Sequence, residues 1–249
     1  MQLRRRKINN GLYNKNIKEK MNYLATICAR KNSQGIKNKN LQLINKKHLI
    51  GITIEQAKKS KMFDKIVVSS DCKKINSIGK KYGANNSFKR ITSLSNSKVS
   101  KVLAIRNLLK QSEKYYNKKF DIIVDLDVTS PLRKISDIKK AIKKFSKSNA
   151  PNMISGNKAH KNPYFNMIEI KNKRIKIVKE TNKRFLSRQV SPKVYDLNAS
   201  IYIWKRQVLL KEDRVILNDT IFYEMPRIRS IDIDEKVDLH IVKSLINLK

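Results

Sequence analysis

Residues 120–133 read Phe120-Asp121-Ile122-Ile123-Val124-Asp125-Leu126-Asp127-Val128-Thr129-Ser130-Pro131-Leu132-Arg133. Phe120 to Leu126 is dominated by apolar and β-branched side chains, the composition of a central strand covered on both faces, as in a parallel sheet. Pro131 ends such a strand because it has no N–H to give to a ladder. Asp125 and Asp127 lie two residues apart and so share a face. An acidic pair in so apolar a run is costly unless it meets solvent, donors or a cation. Thr129 and Ser130 read equally well as a helix cap or turn and as functional hydroxyls.

On either side of this strand the chain alternates short β-prone runs with amphipathic helical patterns. Residues 23–29, 65–70 and 152–155 are further strand candidates, and 50–61, 73–82, 101–115 and 136–147 carry helical spacing. That order predicts an α/β fold with a mostly parallel central sheet and helices on its faces. In 136–147, Ile138, Ala141, Ile142 and Phe145 form an apolar stripe and the lysines fill the polar positions. After Gly156 the rhythm changes. Residues 164–170 and 174–178 suggest a hairpin around Lys171-Asn172-Lys173, a polar stretch runs to Lys193, and a strand at 198–204 returns to the sheet. Residues 157–196 are therefore expected to form an inserted lobe, and 237–248 a last helix with Leu239, Ile241, Val242, Leu245 and Ile246 on its packing face. Residues 1–20, with Arg4-Arg5-Arg6-Lys7 and little apolar periodicity, read as a basic disordered tail ahead of a domain spanning 21–249.

A chain of 249 residues, 40% hydrophobic, is long enough to bury a full core. No run approaches the ~18 apolar residues of a membrane span, and residues 1–20 hold no apolar stretch of the signal-peptide kind, which points to a cytoplasmic address. Cys28 and Cys72 have neither a disulfide framework nor zinc spacing and read as reduced thiols. The formal net charge of +37 raises the question of nucleic acid. The lysines are spread over polar helix faces, however, and the joint abundance of Lys, Asn and Ile fits AT-rich codon usage, so that partner is not favoured. The charge does suit long-range attraction of anionic substrates.

In an open α/β sheet ligands bind beyond the carboxyl ends of the strands. Besides the cluster at 124–133, two others fall in such places. Ala29-Arg30-Lys31-Asn32-Ser33-Gln34-Gly35-Ile36-Lys37-Asn38-Lys39-Asn40 follows the first strand with cations, amide and hydroxyl donors and one glycine, a composition suited to wrapping a polyphosphate. It matches neither the Walker nor the dinucleotide glycine pattern, and a solvated loop is an equal reading. In Arg227-Ile228-Arg229-Ser230-Ile231-Asp232-Ile233-Asp234-Glu235-Lys236, two acids alternate with apolar residues. On a strand Asp232 and Asp234 would point the same way, roughly 7 Å apart at the backbone, and repel unless a positive group such as a metal ion lies between them. Two solvated surface acids are the plain alternative. His48, His160 and His240 lack ligand spacing and nucleophile partners and are expected to be structural or exposed.

Together and in this order, the blocks resemble the nonulosonic-acid cytidylyltransferases, which make CMP-activated sialic-type sugars, over residues 21–249. That family's A-R-x-x-S-K-G-x-x-x-K-N is similar to Ala29 through Asn40, its L-Q-P-T-S-P-L-R to Leu126 through Arg133, its R-Q…N-G-A-I-Y to Arg188-Gln189…Asn198-Ala199-Ser200-Ile201-Tyr202, and its S-I-D-I-D-x-E-x-D to Ser230 through Asp238. Leu126 through Pro131, Asn162-Pro163-Tyr164-Phe165-Asn166 and Tyr195 through Tyr202 most resemble the bacterial legionaminic-acid branch. The resemblance implies a Rossmann-like nucleotidyltransferase, homodimeric through the inserted lobe, that joins CTP to an acidic nine-carbon sugar with Mg2+ and releases pyrophosphate. It implies that Arg30, Ser33, Lys39 and Asn40 hold the triphosphate and nucleotide, with Arg90 and Ser100 to Lys101 at the cytidine. Asp127, Arg188, Asn198 and Tyr202 would line the sugar side, and Asp232 and Asp234 would ligate Mg2+. Arg30 and Lys39 would take up the remaining transition-state charge, and Asp127 or metal-bound hydroxide would serve as general base.

Three positions depart from the pattern. Gln34 replaces the loop lysine, leaving Lys31 or Lys37 to substitute; Asp127 replaces a neutral Gln; Ser97 replaces an Asp before the cytidine contact. N-acetylneuraminic acid is the alternative sugar. An enzyme for the eight-carbon sugar KDO shares the Ala-Arg start but not the later blocks. From a different class, a degenerate basic module would hold RNA or an acidic partner, against which intact Arg30, Lys39, Asn40, Asp232 and Asp234 argue.

Overall fold

Burial on both faces decides the architecture, and residues 122–126 show it: every side chain of that strand is buried. The computed structural model describes residues 21–31, 35–96 and 99–247. The expected tail at 1–20 and the positions of Ser33, Gln34 and Ser97 lie outside these. Along the chain come β1 (Tyr23–Cys28), β2 (Leu43–Ile44), β3 (Lys47–His48), α1 (Leu49–Ser60), β4 (Lys65–Ser70), α2 (Lys73–Lys81), β5 (Asn86–Lys89), α3 (Lys101–Tyr116) and β6 (Ile122–Leu126). There follow α4 (Ile135–Ser146), β7 (Asn152–Lys158), β8 (Ile168–Lys171), β9 (Arg174–Ile177), β10 (Tyr195–Leu197), β11 (Ile201–Lys205), α5 (Arg206–Lys211), β12 (Ile221–Glu224) and α6 (Lys236–Asn247).

β5, β4, β1 and β6 lie side by side and parallel. β11 runs antiparallel between β6 and β7, and β12 joins the far edge of β7 in parallel. The mostly parallel sheet expected from the sequence is thus present, with β11 and the short β10 beside β7 as its reversed members. Alternation along β6 divides the core: Ile122, Val124 and Leu126 pack with α1, α2, α4 and α6, whereas Ile123 packs with α3 and α5. Asp125 and Asp127 therefore point to the α3 side. Each fully buried Ile or Leu of these layers contributes about 1.5–3 kcal/mol relative to exposure.

Residues 230–234, read as a strand because of their β-prone alternation, pair with no ladder. Pro226 and the 3-10 turn Arg227–Arg229 lead the chain away from the β12 edge. It then crosses the end of β6, where the Ile233 amide donates to the Thr129 carbonyl at 3.0 Å. The segment stays extended because Ile233 is fully buried between its two acids. In 157–196, β8 and β9 pair only with each other among the described residues and leave Ile168, Ile170 and Ile175 exposed. No helix among the described residues is long and apolar enough to cross a membrane.

Candidate active site

A cleft of about 590 Å3 opens beyond the carboxyl ends of β1 and β6. Arg30, Lys39 and Asn40 line it from the first loop, Arg90 from the end of β5, Ser100 and Lys101 from the start of α3, and Asp127 with Thr129 from the end of β6. Asp232 and Asp234 complete the wall. Segments far apart in sequence thus bring most of the expected site residues to one place.

The first loop is folded onto the acidic segment. Buried Asn40 donates through Nδ2 to the Arg30 carbonyl at 2.8 Å, which fixes the loop's two ends against each other. Lys39 Nζ lies 2.8 Å from Asp234 Oδ1. A side chain on Gly35 would collide with the Asp234 carbonyl oxygen, so close approach accounts for the glycine in this loop. Arg90 is buried, and its guanidinium donates to the Ser69 carbonyl at 3.3 Å on β4. Cys28 also lines the cleft, and burial, only partly offset by Arg90, pushes its thiol up to about 12. Both cysteines are free.

At the sheet end stands Lys101, expected at the cytidine and found against the two acids that end β6. Lys101, placed by the N-cap Ser100 whose hydroxyl accepts from the Val102 amide, puts Nζ 2.7 Å from Asp125 and 2.6 Å from Asp127. Burial alone would lower the ammonium's pKa, but the two carboxylates outweigh it and raise it. Asp125 is fully buried and accepts from Thr26 Oγ1 at 2.9 Å; burial leaves its pKa raised despite Lys101. For Asp127, burial is outweighed by Lys101 and by the amide and hydroxyl of Thr129, at 3.1 and 2.8 Å, which hold its carboxyl well below the usual range. A carboxylate so held is a poor proton acceptor, which weakens Asp127 as a general base.

Asp232 behaves oppositely. Burial first, then the charges of Asp127 and Asp234, push its carboxyl up to about 6, and its Oδ1 is buried with no hydrogen-bond partner among the described residues. Asp234 keeps 73% of its side chain exposed beside Lys39. The pair is held from behind: Arg229 meets Asp137 of α4 with two bonds of 2.9 Å, and Asp238 accepts from the Asp234 and Glu235 amides at 3.0 and 2.7 Å.

The expected sugar-side residues are scattered. Of that set, Asp127 lines the cleft, whereas Tyr202, Asn198 and Arg188 are absent from its lining. Tyr202 is buried with its ring 5.9 Å from Lys101 Nζ and edge-on to Trp204. The amide of Asn198 is spent inside the protein. Arg188 is bonded to the His160 carbonyl at 3.1 Å.

A family model described as Cytidylyltransferase matches residues 24–240. The CMP-N,N'-diacetyllegionaminic acid synthase of Campylobacter jejuni is 44% identical over 226 residues, 91% of this chain and 95% of that protein. A protein of Campylobacter coli called post-translational flagellin modification protein B is 42% identical with the same coverage. Among solved structures, a CMP:2-keto-3-deoxy-manno-octonic acid synthetase complexed with CTP has a TM-score of 0.64 at 14% identity, covering 91% of this chain and 99% of that one, a likeness of fold. The cleft beyond the parallel strands, its convergent cations and acids, and the match across nearly the whole described chain lead to one assignment: this chain belongs to the cytidylyltransferase family.

Proposed function

We propose that the protein transfers the cytidylyl group of CTP to the anomeric hydroxyl of a nonulosonic acid, legionaminic acid by preference, and releases pyrophosphate. The observation that carries this reading is the 2.8 Å contact of Lys39 with Asp234, which puts the loop expected to hold a triphosphate directly against the acids expected to hold its counter-ion. The near-full-length likeness to a legionaminic acid synthase supports the choice of sugar.

In this reading the sugar oxygen bonds to the α-phosphorus as the bond to the bridging oxygen of the β-phosphate breaks, and pyrophosphate leaves with the electron pair. Arg30 and Lys39 would neutralise charge on the phosphate oxygens, and Arg90 and Ser100 would hold the nucleotide end. The hydroxyl proton passes to an acceptor other than Asp127, whose oxygens are already engaged. The acidic pair fits Mg2+. The unsatisfied buried Oδ1 of Asp232 and the exposed Asp234 offer two carboxylates, and this ion is commonly held by one or two carboxylates with water and substrate phosphates completing the shell. The described residues hold no group of three or more His, Cys, Asp or Glu side chains placed to enclose a metal unaided. When bound, Mg2+ would supply positive charge to the reacting phosphates. We place the enzyme in the cytoplasm with its CTP, as a homodimer joined through the lobe at 157–196.

The test is pyrophosphate release from CTP and Mg2+ with legionaminic, N-acetylneuraminic, pseudaminic and keto-deoxyoctonic acids. Turnover is expected with the nine-carbon acids, with the highest kcat/KM for legionaminic acid. Turnover with the eight-carbon sugar alone would overturn the substrate assignment, and none with any acid would overturn the activity.

A further inference from the structure

We infer that Asn198 is a positioning residue for the acidic pair and not a contact of the sugar. The inference rests on the reading above in one respect, that Asp232 and Asp234 hold the divalent cation. An Asn side chain offers two N–H donors and one oxygen with two acceptor sites. Here Oδ1 accepts from Ser155 Oγ at 2.7 Å and from the Ser200 amide at 3.1 Å. Nδ2 donates to Ser230 Oγ at 2.9 Å and approaches Met225 Sδ at 3.4 Å. The residue is buried, and this set leaves no donor or acceptor for a ligand.

Its position explains the wiring. Along β7 the neighbouring strand is interrupted between β10 and β11, and Asn198, Ala199 and Ser200 fill the gap. Such irregularities re-aim side chains beside active sites. Ala199 takes the left-handed φ of 49° there, a conformation that suits the glycine of the related pattern and is unfavourable for alanine. The turn aims the amide away from the strand towards Ser230, two residues ahead of Asp232. Ser230 Oγ in turn donates to the Pro226 carbonyl at 3.1 Å, and Ser130 Oγ donates to the Asn198 carbonyl at 3.3 Å. A continuous set of hydrogen bonds therefore joins β7, the end of β6 and the acidic segment, with Asn198 at the branch point. Outer partners that orient metal ligands are typically worth about 10–100-fold in affinity or activity.

The test uses Asn198→Ala and Ser230→Ala in the full chain, with steady-state kinetics in Mg2+ and with Mn2+ binding read by electron paramagnetic resonance without nucleotide. Both variants are expected to lose about tenfold or more in kcat and in Mn2+ affinity, with KM for the sugar within about twofold of wild type. A raised sugar KM with wild-type Mn2+ affinity in Asn198→Ala would overturn the inference in favour of a sugar contact. So would a Ser230→Ala variant that matches wild type in both kcat and Mn2+ binding. Ser230→Ala removes only the far end of the link and decides the matter alone if Asn198→Ala fails to fold. Failure of the underlying reading looks different: Asp232→Asn would then leave Mn2+ binding unchanged in an otherwise wild-type protein.

Discussion

The carboxyl of Asp232, pushed up to about 6 by burial and by the neighbouring acids, sets stability against activity at a single residue. Its unfolded value is about 3.9, so between about pH 4 and 6 the folded chain binds more protons than the unfolded one, and stability falls as pH rises through that window. Above it, the ionised group weakens the metal-free fold by about 1–2 kcal/mol, once the full shift is discounted for partial exposure and screening. Asp127 has the opposite sign: its lowered value adds stability above the unfolded pKa that is lost as pH falls through the folded one. Asp232→Asn is therefore expected to raise the melting temperature of the metal-free protein at pH 7.5, to lose that gain near pH 4, and to lower turnover at least about a hundredfold. Calorimetry at the two pH values and pyrophosphate release check the two halves. A variant that is less stable at pH 7.5 would refute the burial argument, and one that retains full turnover would refute the metal role.

At the scale of elements, one ammonium docks a helix on a strand. Lys101 at the start of α3 is the sole cation within ion-pair distance of Asp125 among the described residues, and Asp125 has no exposure at all. Lys101→Met would leave two carboxylates facing each other in the interior, and breaking such a pair costs about 3–5 kcal/mol. Adding Asp125→Asn should recover part of that loss by removing the uncompensated charge. Urea unfolding measures both; a loss below about 1 kcal/mol in Lys101→Met would mean that the acid is simply protonated instead. The same pair shows what the sequence could reveal. The cost of Asp125 and Asp127 in an apolar strand calls for solvent, donors or a cation, but in a chain with 57 Lys and Arg nothing in the sequence marks Lys101 as their partner. Strong periodicity located the elements well: 73–82 and 65–70 were expected and Lys73–Lys81 and Lys65–Ser70 were found. β5, β10 and β12 went unread because three or four residues on a sheet flank take their pairing from tertiary neighbours. The alternation of Asp232 and Asp234 correctly sent both to the cleft, yet period two cannot say whether a ladder partner exists. The resemblance alone assigns Asn198 to the sugar side; its hydrogen-bond partners Ser155 and Ser230 are brought together only by folding and have no signature in the sequence.

The whole molecule combines a surplus of positive charge with an apolar strip on the segment 157–196. Ile170 and Ile175, paired across the β8–β9 hairpin, are 73% and 68% exposed, and that hairpin also carries Lys171, Lys173, Arg174 and Lys176. Large apolar side chains left bare on one hairpin suit a second copy of the same surface. Arg188 belongs to this segment and is absent from the lining of the cleft, so in the proposed dimer a sugar contact would come from the partner subunit's Arg188. Like charges oppose such pairing, and salt shortens their reach from about 10 Å at 0.1 M to 3 Å at 1 M. Dimerisation should therefore tighten between about 0.05 and 0.5 M NaCl, the reverse of a nucleic-acid complex, which salt dissociates. Replacing Ile170 and Ile175 together with Asp should give a monomer by sedimentation that stays folded, because neither side chain belongs to the core of its own chain. That monomer should bind CTP normally but show a raised KM for the sugar. A wild-type chain that is monomeric at every salt concentration would remove the lobe from the assembly, and a monomeric variant with an unchanged sugar KM would confine Arg188 to a structural role on its own chain.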